Sequence, residues 1–144
     1  VRILHGAGRS NLTDMRKEGT CMSSSDMNLG GRLSDLPLSP QTTAQVEKRI
    51  VFGPDRFWPD HTARCFTAKA GSVIPTHSHD WPHYIIVLDG EVEARIGDGS
   101  IRARAKGWIH VPANTPHSFT VIGDRPFEFI CIVPSRGDVP PPQA

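Results

Sequence analysis

Four histidines, His77, His79, His83 and His117, are spaced so that they can converge on one ion. His77 and His79 are two residues apart, so on a strand both side chains leave the same face, with Cα atoms about 6.5–7 Å apart. The link Asp80-Trp81-Pro82 is tight, because Pro82 cannot donate to a sheet ladder. His83 then opens the next strand and faces back toward the pair. His117 begins a later strand, after the Pro-bracketed turn Pro112-Ala113-Asn114-Thr115-Pro116. Four neutral nitrogen donors suit one divalent transition metal per chain, from among Mn, Fe, Ni, Co, Cu and Zn. With no carboxylate in the set, the ion keeps its full +2 charge, favours the divalent state and attracts anions or enolates. If octahedral, it leaves two positions for water, substrate or dioxygen, which is the mark of a catalytic rather than a structural metal. His5, His61 and His110 stand alone and read as ordinary surface or core residues.

The elements that must position these ligands are short strands. Candidates are 46–52, 62–70, 72–79, 84–88, 91–96, 100–105, 108–111, 117–121 and 127–133, separated by turn chemistry such as Asp89-Gly90, Gly97-Asp98-Gly99 and Gly123-Asp124-Arg125-Pro126. Asp89-Gly90 and Asp98-Gly99 are the dipeptides preferred where both central residues of a hairpin turn need positive φ. Many short strands at even spacing with no long helical period mean an all-β barrel or sandwich. Residues 1–45 have a different texture, rich in Ser, Gly and Pro, and read as a mostly irregular N-terminal arm with at most a helical turn at Thr13–Glu18. The barrel then covers 46–134, and 135–144, with Pro140-Pro141-Pro142, reads as a flexible Pro-rich tail.

Strand parity supplies a lining. Ile85 and Val87 continue the inward face of the His83 strand, and Phe119 and Val121 that of the His117 strand. Phe127, Phe129, Cys131 and Val133 share one face of the last strand. Cys131 reads either as a small core hydrophobe or as a thiol in the site. Arg64, on one face with Phe66, either clamps a substrate carboxylate or makes an outer-face ion pair. Pocket candidates are therefore Arg64, Ile85, Phe119, Phe129 and Cys131. None of Glu47, Glu91, Glu93 or Glu128 has inward parity to serve as a general base.

Composition excludes several function classes. Sixteen basic against fifteen acidic residues leave a formal charge of +1, so nothing favours a nucleic acid or a membrane surface. No apolar run approaches the roughly 20 residues of a membrane span, and the first residues carry no apolar core of a secretory signal. Three unspaced cysteines, Cys21, Cys65 and Cys131, make no disulfide framework and point to a reducing compartment, the cytoplasm. No serine-hydrolase, kinase or phosphate-loop signature occurs.

The run from Gly71 through His77, His79 and His83 to Gly90 resembles the first motif of the cupin superfamily, with His83 in place of the usual glutamate. Pro112, Asn114 and His117 are similar to its second motif, which commonly has Gly at the position of Asn114. The all-histidine version resembles a small subgroup of single-domain cupins, some of which bind manganese, and Lys48-Arg49, Phe66-Thr67 and Phe129-Ile130-Cys131 look similar to that subgroup too. The resemblance implies a jelly-roll barrel (a double-stranded β-helix) with the metal inside, manganese first. It also implies a homodimer in which an N-terminal strand joins the partner's sheet.

Three functions fit. The first is a dioxygenase-like oxidoreductase acting on a small, mainly apolar or enolisable substrate. The second is a metal-dependent isomerase or lyase of a small keto or sugar acid. The third is a non-catalytic metal- or small-ligand-binding module.

Overall fold

The computed structural model describes residues 29–140 and 142. His5, Thr13–Glu18 and Cys21 lie outside the described residues. The described residues from Arg32 onward form one compact unit.

Nine strands form it: β1 (Val46–Phe52), β2 (His61–Ala68), β3 (Val73–His77), β4 (His83–Asp89), β5 (Glu91–Ile96), β6 (Gly99–Arg104), β7 (Trp108–Val111), β8 (His117–Ile122) and β9 (Phe127–Pro134). They pair antiparallel in two sheets, ordered β1-β2-β9-β4-β7 and β3-β8-β5-β6, which is the jelly-roll arrangement expected. Alternation along β9 is complete: Phe127, Phe129, Cys131 and Val133 are buried and their neighbours are not. These residues meet Val46, Phe66, Ile85, Val87, Val92, Ala94, Ile109, Val111, Phe119 and Val121 in one core between the sheets. Each fully buried aliphatic or aromatic side chain contributes about 1.5–3 kcal/mol through area removed from water.

Two turn assignments change. Asp89-Gly90 is not a hairpin turn, because β4 and β5 belong to different sheets and only Gly90 lies between them. The chain swings from one sheet to the other at Gly90, with φ +75°, where a Cβ would collide with the Pro126 carbonyl. In the β5–β6 hairpin the turn is Gly97-Asp98, one residue earlier than the Asp-Gly pair suggests. Gly97 supplies the positive φ of +57° and Gly99 is already paired with Ile96.

The outer edge of β1 is covered by the chain itself. Ser39 N–H donates to Lys48 O (2.8 Å), Thr43 N–H to Val46 O (2.9 Å), and Thr42 Oγ1 exchanges bonds with the Lys48 backbone. Residues 39–43 thus cover the outer edge of β1, where a bare strand would leave backbone groups unpaired. At the other terminus, the segment expected to be a loose tail begins with a 3-10 turn at Ser135–Gly137, and Gly137 is buried. Asp138 holds Lys48 Nζ at 2.5 Å, so a buried amine fixes the chain there.

Candidate metal centre

His77 and His117 are directly opposed on β3 and β8, and their rings stand 4.3 Å apart between centroids. His83 enters from the first residue of β4, in the facing sheet. His79 does not share a strand with His77. β3 loses register after Ile74 and ends at His77, and His79 sits in the link that Pro82 keeps out of the ladder. Its backbone is held from the second motif instead, where Asn114 N–H donates to His79 O at 2.7 Å. Asn114 has φ +59°, the left-handed conformation that explains why Gly or Asn suits this position.

The ligand atoms of all four histidines lie within 4.8 Å of one another. Their other nitrogens are each engaged. His77 Nδ1 donates to Pro75 O, His79 Nδ1 to Trp81 O and His117 Nδ1 to Thr115 O, all at 2.8 Å. A carbonyl can only accept, so these three Nδ1 atoms carry the proton and their Nε2 atoms keep a lone pair, with His79 Nε2 lying 2.8 Å from His83 Nε2. His83 Nδ1 lies 3.1 Å from Cys131 Sγ. His117 is 1% exposed and its Nε2 has no hydrogen-bond partner. An orphaned, buried acceptor beside three other imidazole nitrogens fits a bound cation, to which all four rings can turn a nitrogen.

Electrostatics point the same way. Burial, then the Arg64 guanidinium and the neighbouring imidazoles, pushes His83 down to about 2 from 6.5. Burial also lowers His79 and His117, so three of the four rings resist protonation and stay available as donors.

Three of the four, His77, His79 and His83, line a cavity of about 290 Å³ together with Phe66, Ile74, Trp81, Ile85, Phe119 and Phe129. Of the pocket candidates, Ile85, Phe119, Phe129 and Cys131 line it. Arg64 does not. It points inward but lies beneath the wall, 4% exposed, donating from Nη2 to Cys131 Sγ (3.1 Å) and stacking its guanidinium 5.1 Å from the Phe66 centroid. Neither a substrate clamp nor an outer-face ion pair describes it. Arg64 and Cys131 face each other across β2 and β9, and Ile85 flanks Cys131 from β4. Buried Lys48 lies nearby. Burial depresses its amine, while Asp138 beside it opposes the shift.

Sequence parity missed Trp81 and the C-terminal segment. Trp81 stacks flat on His79, with centroids 4.2 Å apart and planes 3° apart. Gly137, Val139, Pro140 and Pro142 also line the cavity. The signal for Trp81 was its place between two ligands. The tail carried none, because prolines break strand periodicity wherever they fall. Among the described residues no carboxylate lines the cavity. Glu47 binds Arg49, Glu93 faces Arg95 and Glu128 faces Cys65.

Residues 65–133 match the family model of the cupin domain. No curated protein matches the sequence. Among solved structures, a cupin-2 domain protein of Rhodospirillum rubrum is similar with a TM-score of 0.65 at 18% identity, over 80% of this chain and 80% of that one. The polyketide cyclase RemF of Streptomyces resistomycificus gives 0.65 at 18%, over 74% and 78%. Oxalate decarboxylase of Bacillus subtilis, a protein with Mn(II) centres, gives 0.62 at 15%, over 76% of this chain and 30% of that one. At such identities the likeness shows the fold alone. The barrel is a cupin jelly roll, and its residues 65–133 carry the cupin domain match.

Proposed function

We propose that the protein is a metal-dependent, dioxygenase-like oxidoreductase of the cupin superfamily, acting on a small, mainly apolar, enolisable substrate. The observation that carries this is the joining of four inward Nε2 donors to an uncharged, aromatic-walled cavity of about 290 Å³. His77, His79, His83 and His117 hold one divalent ion, manganese first among the candidates since a cupin-fold neighbour has Mn(II) centres. When bound, that ion supplies Lewis acidity and an electron-transfer partner for dioxygen. The chain's residues do the rest. His79, His83 and His117 resist protonation, while Phe66, Phe119, Phe129 and Trp81 line the cavity, exclude water and seat the apolar part of the substrate. A proton-transfer isomerase or lyase needs a general base in reach, and no described residue of the lining is a carboxylate.

A homodimer remains our reading of the assembly. The closed β1 edge moves its support to the exposed Tyr84, Ile86 and Trp108 of β4 and β7, and a monomer by light scattering would refute it. Free thiols at Cys65 and Cys131 support a cytoplasmic location.

Oxygen consumption by Mn- or Fe-loaded protein with a panel of small 1,3-diketones tests the reaction. Uptake that needs both metal and diketone supports it. Metal binding without uptake across the panel favours the binding-module reading.

A further inference from the structure

The four histidines differ in whether a side chain outside the set also supports the ring. His77 and His117 each donate from Nδ1 to the carbonyl two residues back, so their braces belong to their own backbone. His79 also donates from Nδ1 to a backbone carbonyl, Trp81 O at 2.8 Å, but it and His83 lean on side chains outside the set as well. His79 lies flat against the Trp81 indole, and His83 rests its Nδ1 on Cys131 Sγ.

Both of these supports lean on one short segment, Arg136–Asp138. Gly137 lies so close to Trp81 that a Cβ there would stand 2.6 Å from Nε1 and 2.7 Å from Cδ1. Arg136 Nη1 donates to Asp80 Oδ1 at 2.6 Å and Nη2 to Asp80 O at 3.2 Å, and its guanidinium lies 5.6 Å from the Trp81 ring centre. On the other side, Gly137 O accepts from Arg64 Nη1 (3.5 Å), while the Asp138 carboxylate lies 3.7 Å from the same nitrogen. Arg64 in turn donates from Nη2 to Cys131 Sγ. One three-residue stretch therefore meets both routes, through Trp81 to His79 and through Arg64 and Cys131 to His83.

We propose that Gly137 and Asp138 are positioning residues for His79 and His83, so that the C-terminal segment sets the geometry of half the metal centre. The proposal rests on the reading of the four histidines as metal ligands. It follows that the wall made by Val139 and Pro140 is mechanically tied to the ion, because the residues just before it hold the ligands. Arg136 contributes less, since its pair with Asp80 is solvent-exposed.

The test is a Co²⁺ titration of the full chain, following affinity and the visible ligand-field spectrum. Gly137→Ala should weaken Co²⁺ binding about tenfold, the lower end for residues that orient ligands, and shift the spectrum. Asp138→Asn, which adds no bulk, should shift the spectrum through His83. In a Trp81→Ala background, Gly137→Ala should have no further effect on either readout, whereas Trp81→Phe keeps a stacked ring and should bind close to wild type. Wild-type affinity and spectrum in both Gly137→Ala and Asp138→Asn overturn the proposal, as does an undiminished Gly137→Ala effect without Trp81. A wild-type chain that takes up no Co²⁺ overturns the metal reading, and this proposal with it.

Discussion

The sulfur of Cys131 lies 3.1 Å from His83 Nδ1 and 3.1 Å from Arg64 Nη2. A histidine that gives Nε2 to a metal must carry its proton on Nδ1, so His83 then donates to the sulfur. Cys131→Ala should remove that acceptor and weaken divalent metal binding about tenfold, while Cys131→Ser restores most of it. Isothermal titration with Mn²⁺ checks this. Equal affinity in both variants and wild type would show that the contact does not orient the ligand.

The depressed histidines give a signed pH dependence. An unfolded imidazole takes a proton as pH falls through about 6.5, whereas His83 in the metal-free barrel stays neutral to about 2. Stability from this group is therefore complete above pH 6.5 and is lost below it, at up to about 1.4 kcal/mol per pH unit. His79 and His117 act in the same direction. Urea midpoints of the metal-free protein should fall between pH 7.5 and 5.5, and His83→Asn should flatten the fall. A flat profile in the unmutated chain contradicts the burial of His83.

Lys48 is 1% exposed and owes its tolerance there to Asp138 and Gln41. Asp138→Ala leaves Lys48 beside Arg64 with its carboxylate gone, and should cost about 3 kcal/mol, as for other broken buried pairs. Lys48→Met should cost less, since it removes a buried charge and keeps the volume. Denaturant melts of the two variants check the order, and a larger loss for Lys48→Met would reverse the argument.

A carboxylate in place of His83 changes the charge at the centre by one unit. His83→Glu should keep the fold and still bind metal, while lowering the reduction potential of bound Mn or Fe. Electrochemistry, or EPR after mild oxidant, reads the shift. An unchanged potential would mean that residue 83 does not touch the ion.

How much of this was legible beforehand follows from the physics of each part. Strand parity is local, so the inward set Ile85, Phe119, Phe129 and Cys131 could be read from alternation. The gathering of His77, His79, His83 and His117 was legible because His83 and His117 open strands and His77 and His79 stand at the short link before His83. The link itself was not, because whether His79 continues β3 depends on where β3 loses its register with β8. Arg64 shows the limit most clearly. Its face was correct, but whether a cation on that face meets substrate depends on Cys131, Asp138 and Gly137, which come from distant parts of the chain. The role of Gly137 against Trp81 was invisible for the same reason.

The central claim is that these four histidines hold a metal ion, and elemental analysis tests it most directly. Protein purified from its own host should carry close to one divalent transition-metal ion per chain. The variant with His77, His79, His83 and His117 all replaced by alanine should carry almost none while keeping its β-rich circular dichroism. Full occupancy in that variant, or a wild-type chain that stays metal-free after incubation with Mn²⁺, Fe²⁺ and Co²⁺, would contradict the account.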